Sequence, residues 1–83
     1  MLIDIFRKNK LYHRDGGPAY TRYYEDGIID FKKYFINGKL HREDGPAWIK
    51  YYEDGGITYE AYYKNGREAG VDTKLLYKHY FIS

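Results

Sequence analysis

Residues 9–36 read NKLYHRDGGPAYTRYYEDGIIDFKKYFI, and residues 37–64 read NGKLHREDGPAWIKYYEDGGITYEAYYK. Laid over each other without a gap, thirteen of the 28 positions are identical. They include His13/His41, Arg14/Arg42, Gly17/Gly45, Pro18/Pro46 and Ala19/Ala47, and the run Tyr-Tyr-Glu-Asp-Gly at 23–27 returns at 51–55. A period between about 20 and 50 residues marks an array whose units bury their apolar sides only against their neighbours. The same register runs outward in both directions. Residues 1–8 form a half unit in which Ile3 matches Phe31 and Tyr59, and Phe6 matches Tyr34 and Tyr62. Residues 65–83 form a degenerate closing copy, with Ala69-Gly70 where His-Arg stood and Thr73-Lys74-Leu75 where Gly-Pro-Ala stood. Terminal units that lose the shared residues act as caps.

Within each unit the period is two. Ala47, Ile49 and Tyr51 alternate with Trp48, Lys50 and Tyr52, and Ile57, Tyr59, Ala61 and Tyr63 alternate with Thr58, Glu60 and Tyr62. Alternation rich in aromatic and β-branched residues reads as half-buried strand. Asp26-Gly27 and Asp54-Gly55 supply the positive φ angles of tight hairpin turns, and Asn37-Gly38 and Asn65-Gly66 have the same chemistry. The expected fold is all-β: a single-layer antiparallel ribbon of hairpins with about six strands. These fall near residues 2–7, 19–25, 28–36, 47–53, 57–64 and 75–81. The last is a choice over a short helix capped at Asp72 or Thr73, made because the repeat register asks for a strand.

Length and composition bound the function. Eighty-three residues suffice for one domain and leave little room for a buried pocket. The absence of cysteine excludes disulfides, thiolate metal sites and a cysteine nucleophile. No apolar run is long enough to span a membrane, and the start of the chain lacks the basic region of a signal peptide, so a cytoplasmic location is expected. The seventeen aromatic residues, twelve of them Tyr, outnumber the Ile, Leu, Val and Met residues. An ordinary core reverses that ratio, because aliphatics fill interiors while Tyr keeps a wet hydroxyl.

The pattern Trp48-x-x-Tyr51-Tyr52-x-x-Gly55, followed by Tyr62-Tyr63-x-Asn65-Gly66, resembles the MORN repeat and its bacterial variants. The His-Arg-Glu-Asp-Gly-Pro-Ala block at 41–47 is similar to a longer subtype found in bacterial, phage and large-virus reading frames. The resemblance spans about residues 9–70. It implies a hairpin ribbon that binds protein or lipid and has no common enzymatic activity. The chain departs from the family in its longer period and in having two full units.

The sharpest candidate chemistry is an imidazole oriented by a carboxylate in His41-Arg42-Glu43-Asp44, the arrangement of a general base. It recurs at His13-Arg14-Asp15 with no nucleophile beside it, which favours structural spacing over catalysis. In that reading Arg pairs with a neighbouring acid, and His bonds a backbone carbonyl of the adjacent unit. His13, Arg14, His41, Arg42, Asp44, Gly45 and Pro46 are therefore assigned structural roles. No catalytic, metal or cofactor residues are assigned, and the turn aspartates 26 and 54 are read as Asx-type hydrogen-bond acceptors.

The tyrosines are the more informative feature. Stacked hairpins place Tyr24, Tyr52 and Tyr80 in one row and Tyr20, Trp48 and Leu76 in another, with Tyr34 and Tyr62 expected on the same face. Arg22, Lys32, Lys50 and Lys78 lie between them. Tyr20, Arg22, Tyr24, Trp48, Lys50, Tyr52 and Tyr62 are the expected binding residues. Such a face suits a protein partner, as expected of a small inhibitor or adaptor and, by the subtype resemblance, of a phage or bacterial conflict protein. Single-stranded nucleic acid is the alternative. The net charge of +2 and the acidic turns at Glu25-Asp26 and Glu53-Asp54 weigh against it. Open edges at 2–7 and 75–81 allow a homodimer or a self-assembling module. No membrane partner is expected.

Overall fold

The computed structural model of the protein describes residues 2–72. Its strands are β1 (Ile3–Ile5), β2 (Arg7–Lys8), β3 (Leu11–Tyr12), β4 (Tyr20–Tyr23), β5 (Ile29–Lys33), β6 (Phe35–Ile36), β7 (Lys39–Leu40), β8 (Trp48–Tyr51), β9 (Ile57–Lys64) and β10 (Arg67–Asp72). Six form one sheet in the order β1-β4-β5-β8-β9-β10, antiparallel throughout, and β2-β3 and β6-β7 are small separate hairpins. The principal extents are 48 × 31 × 15 Å. The short axis accommodates one sheet and its side chains, since a second layer would add about 10 Å.

Hydrogen bonds outside the ladders return at the 28-residue offset. Phe6 N–H donates to Ala19 O as Tyr34 N–H does to Ala47 O. His13 N–H donates to Phe6 O as His41 N–H does to Tyr34 O. Arg14 N–H reaches Phe35 O, and Arg42 N–H reaches Tyr63 O. The sequence identity therefore falls where the chain makes equivalent backbone contacts.

Two kinds of turn close the hairpins. At Asn37-Gly38 and Asn65-Gly66 both residues have positive φ (50° and 81°, 51° and 81°), as a two-residue type I′ turn requires. The turn between β2 and β3 has Asn9 at φ 52° and Lys10 at φ 69°. Lys10 thus occupies a left-handed position that the later units give to glycine, at a cost of about 1 kcal/mol. Lys10→Gly is accordingly expected to stabilise the protein by about 0.5–1 kcal/mol, measurable as a raised urea midpoint at unchanged slope. The Asp-Gly turns do not show the positive φ expected at both of their residues. Only Gly27 (φ 90°) and Gly55 (φ 91°) are left-handed. Tyr24 N–H bonds Ile28 O, and Tyr52 N–H bonds Gly56 O, so each loop holds three residues. Asp26 Oδ1 accepts from Ile28 N–H at 3.1 Å and Asp54 Oδ1 from Gly56 N–H at 2.8 Å, the Asx bonds expected of them.

Each long hairpin carries a β-bulge just beyond its turn. Tyr23 pairs with Ile29 but Arg22 pairs with Phe31, leaving Asp30 unopposed. Tyr51 pairs with Ile57 but Lys50 with Tyr59, leaving Thr58 unopposed. An extra residue on one strand shifts every later pairing by one and so reverses which side chains share a face. The front face consequently holds Tyr20, Arg22, Phe31, Lys33, Trp48, Lys50, Tyr59 and Ala61. The back face holds the cross-sheet row Asp4, Thr21, Lys32, Ile49 and Glu60.

Among the described residues the core is small: Ala19, Ala47, Ile49 and Ala61 are buried, joined by Thr21 and Glu60. A one-layer sheet covers its interior only with neighbouring strands and flanking loops, so small side chains take the most enclosed positions.

The closing copy departs from expectation. In the first two units the chain makes only the short β3 or β7 after its turn and then loops out through His-Arg and Gly-Pro. After Asn65-Gly66 it continues along β9 as β10, through a register shift between Glu68 and Gly70. With Ala69-Gly70 in place of His-Arg, the side chains that hold the loop elsewhere are missing. The strand expected at 75–81, with Leu76, Lys78 and Tyr80, lies outside the described residues.

Candidate functional site

Two local constructions stand out, one at the loops and one on the front face. In the loops, His41 Nδ1 accepts the backbone N–H of Asn65 at 2.9 Å, and His13 Nδ1 accepts that of Asn37 at 3.0 Å. Each histidine thus grips the left-handed asparagine that opens the next turn. The expected partner was a carbonyl; the donor is instead the N–H that a type I′ turn leaves pointing out of the hairpin. Acceptance at Nδ1 fixes the neutral ring as the Nε2–H tautomer. His41 gives that proton to Glu43 Oε2, whose other oxygen takes Lys64 Nζ at 3.1 Å. His13 Nε2 lies 3.3 Å from Asp15 Oδ1 but lacks hydrogen-bond alignment, because aspartate is one methylene shorter. With Nδ1 occupied, neither imidazole offers a free lone pair to a substrate proton.

The arginines complete the loops. Arg14 Cζ stands 4.0 Å from the Phe6 ring centre, and Arg42 Cζ stands 4.0 Å from that of Tyr34. Their Nη1 atoms donate to Pro18 O at 3.3 Å and Pro46 O at 3.1 Å. Arg42 also pairs with Asp44 at 3.3 Å, where the first copy has Gly16. A Cβ on Gly17 would come 3.0 Å from Arg14 Cζ, and one on Gly45 3.1 Å from Arg42 Cζ. Each guanidinium is therefore held between a ring and a glycine backbone, which accounts for the Arg-x-x-Gly-Pro spacing. Between the two loops lies an open cleft of about 410 Å³, reached by Arg14, Asp15, His41, Arg42, Glu43 and Asp44. Arg14 and Arg42 each commit an Nη1 donor, and His41 its Nε2–H, to the loop contacts just described.

The front face is built differently. Tyr20 stacks on Phe31 at 5.5 Å and 17°, and Trp48 meets Tyr59 edge-on at 5.3 Å and 74°. Lys33 Nζ links the two pairs, 5.1 Å from the Phe31 ring centre and 4.5 Å from that of Trp48. Tyr12 extends the chain of contacts from Tyr20 to Phe35 at 5.7 and 5.2 Å. Aromatic and cationic side chains alternate on the register: Tyr20, Lys33, Trp48 in one row and Arg22, Phe31, Lys50, Tyr59 in the next. Burial pushes the Lys33 ammonium below the ordinary lysine range, and the neighbouring Lys50 charge adds to the shift. Arg22 is paired with Asp30 at 3.6 Å.

Of the expected binding residues, Tyr20, Arg22, Trp48 and Lys50 share this face. Tyr24 lies at the turn end, where its hydroxyl donates to Tyr51 O at 2.9 Å. Tyr52 is exposed at the corresponding turn. Tyr62, expected here with Tyr34 and Lys32, is a correction: the bulges place these three on the back face, where Lys32 approaches the Tyr51 ring. Phe31, Lys33 and Tyr59 take their places. Counting pairs back from each turn with one residue skipped at Asp30 or Thr58 would have found them.

Among the described residues, no group of three or more His, Asp and Glu side chains is placed to hold a metal ion. No helix among them is long and apolar enough to cross a membrane. No protein-family model, curated protein or solved structure matches this chain.

Proposed function

We propose that this protein is a non-enzymatic, MORN-like interaction module that docks one protein partner, as an inhibitor or adaptor, through its front face. The observation that carries this reading is the continuous aromatic–cation surface from Tyr20 through Lys33 to Tyr59, half-buried on a sheet that has no second layer among the described residues. Tyr, Trp and Arg dominate interface energetics, because they bring large contact area and directed polar groups at modest entropic cost. The loop histidines support a non-catalytic role, since the Nδ1 lone pair of each already serves the fold.

The test exploits the two faces. Tyr59 lies on the front and Tyr62 on the back, three residues apart on one strand. A photo-crosslinking phenylalanine at 59 is expected to trap a partner in cells of the source organism, and the same group at 62 is not. Equal trapping from both positions would remove the front face as the docking surface. A second reading, pairing of the β1 edge with another copy, draws support from exposed Leu2, Ile3, Ile5, Phe6 and Leu11 around that edge. A strict monomer by light scattering at high concentration would end it.

A further inference from the structure

Two cations of the front face, Lys33 and Lys50, stand without a counter-charge among the described residues. Lys33 on β5 and Lys50 on β8 are diagonal neighbours, since Lys33 pairs with Trp48 two residues before Lys50. Among the described residues neither ammonium is paired with a carboxylate. Asp4 and Glu60 fall on the back face, and Glu68 lies across from Tyr63, whose hydroxyl donates to it at 3.4 Å. Asp30, beside the front, is taken by Arg22. The sheet therefore leaves two like charges together, one partly desolvated between Phe31 and Trp48. That arrangement weakens the isolated fold and favours an incoming anion.

The rings indicate which anion. Tyr20 and Phe31 cover each other's faces, and Lys33 stands against Trp48, so they do not offer the successive open ring faces on which bases stack. The hairpin turns at one end of the face carry Glu25, Asp26, Glu53 and Asp54, which repel a phosphate chain. A carboxylate flanked by apolar groups meets both the charge and the aromatic surroundings.

Resting on the front-face reading, we propose that the partner presents an acidic, apolar-flanked peptide segment, one of whose carboxylates is received between Lys33 and Lys50 with its neighbours against Trp48 and Phe31. Trp48 is the sole tryptophan, so its fluorescence reports directly on this position. The purified full chain is titrated with three probes at about 50 mM salt: a capped peptide of alternating Glu and Leu, its Gln counterpart, and a thymidine oligonucleotide. The Glu peptide is expected to give a saturable change and the Gln peptide to bind at least about tenfold more weakly, the loss of one charge-assisted bond. Lys33→Gln is expected to lose about the same factor, and Lys33→Arg to keep most of the affinity, with circular dichroism confirming the fold of both. Equal binding of Gln and Glu peptides, preference for the oligonucleotide, or no response to any probe would each overturn the acidic-segment proposal. The site-specific crosslink from position 59 would still judge the front-face reading separately.

Discussion

Ile49→Ala is expected to lower the melting temperature by at least about 10 °C. Ile49 is 7% exposed and, among the described residues, is the one buried apolar residue larger than alanine. Truncating a buried isoleucine costs about 2–5 kcal/mol, from lost transfer energy and the cavity left behind. A domain of this length has a total stability of only about 4–12 kcal/mol, and each kcal/mol shifts its melting point by about 4–8 °C. Larger proteins absorb such losses in a deep core; here the buried set among the described residues is a handful of small residues along one sheet. Ile3→Ala, at a side chain 42% exposed, is the control and should shift melting by a small fraction of that amount. Equal shifts from the two substitutions would show that Ile49 is not the centre of the packing.

His41→Ala is expected to have the next largest effect, about 1–2 kcal/mol. It leaves the Asn65 N–H without its acceptor and Glu43 without the ring proton. The loss should be local before it is global, so hydrogen exchange at the Asn65 amide should accelerate beyond what the change in overall stability explains. An unchanged Asn65 amide would mean that the histidine does not hold the turn. The same cluster gives a pH dependence. Hydrogen bonds from Lys64 and then His41 hold the Glu43 carboxyl below its ordinary range. A carboxyl depressed on folding contributes stability that is complete above its unfolded value and is lost as pH falls through the folded one. Glu43→Gln should flatten that acid limb while leaving the Asn65 contact in place.

Much of this fold was legible because the repeat states it twice. The period, the all-β class, the turn positions and the structural use of the His-Arg and Gly-Pro residues all follow from residues that recur at 28. The site was half legible, and Asp30 shows why. Alternation assigns faces within one strand, but transferring them across a hairpin needs the pairing register. Taken without a bulge, the register groups Tyr20 with Lys32 and Tyr34; one unopposed residue regroups it with Phe31 and Lys33. Nothing in the side chain of Asp30 or Thr58 announces a bulge by itself, and it is the packing of both faces that selects it. The hairpin β9-β10 escaped for a related reason. Strict repeat register carries the chain into a loop after Asn65-Gly66, whereas replacement of His-Arg by Ala69-Gly70 removes the contacts that make the loop.

The same one-residue distinction decides between the two possible faces, and nuclear Overhauser contacts to the single tryptophan read it directly. The two-faced ribbon predicts contacts from the Lys33 side-chain methylenes to the Trp48 indole, with those protons shifted upfield by the adjacent rings. It predicts contacts from Tyr59 to the same indole and none from Lys32. Contacts from Lys32 or Tyr62 to Trp48, with Lys33 at solvent-like shifts, would contradict the front face and with it the proposed docking surface.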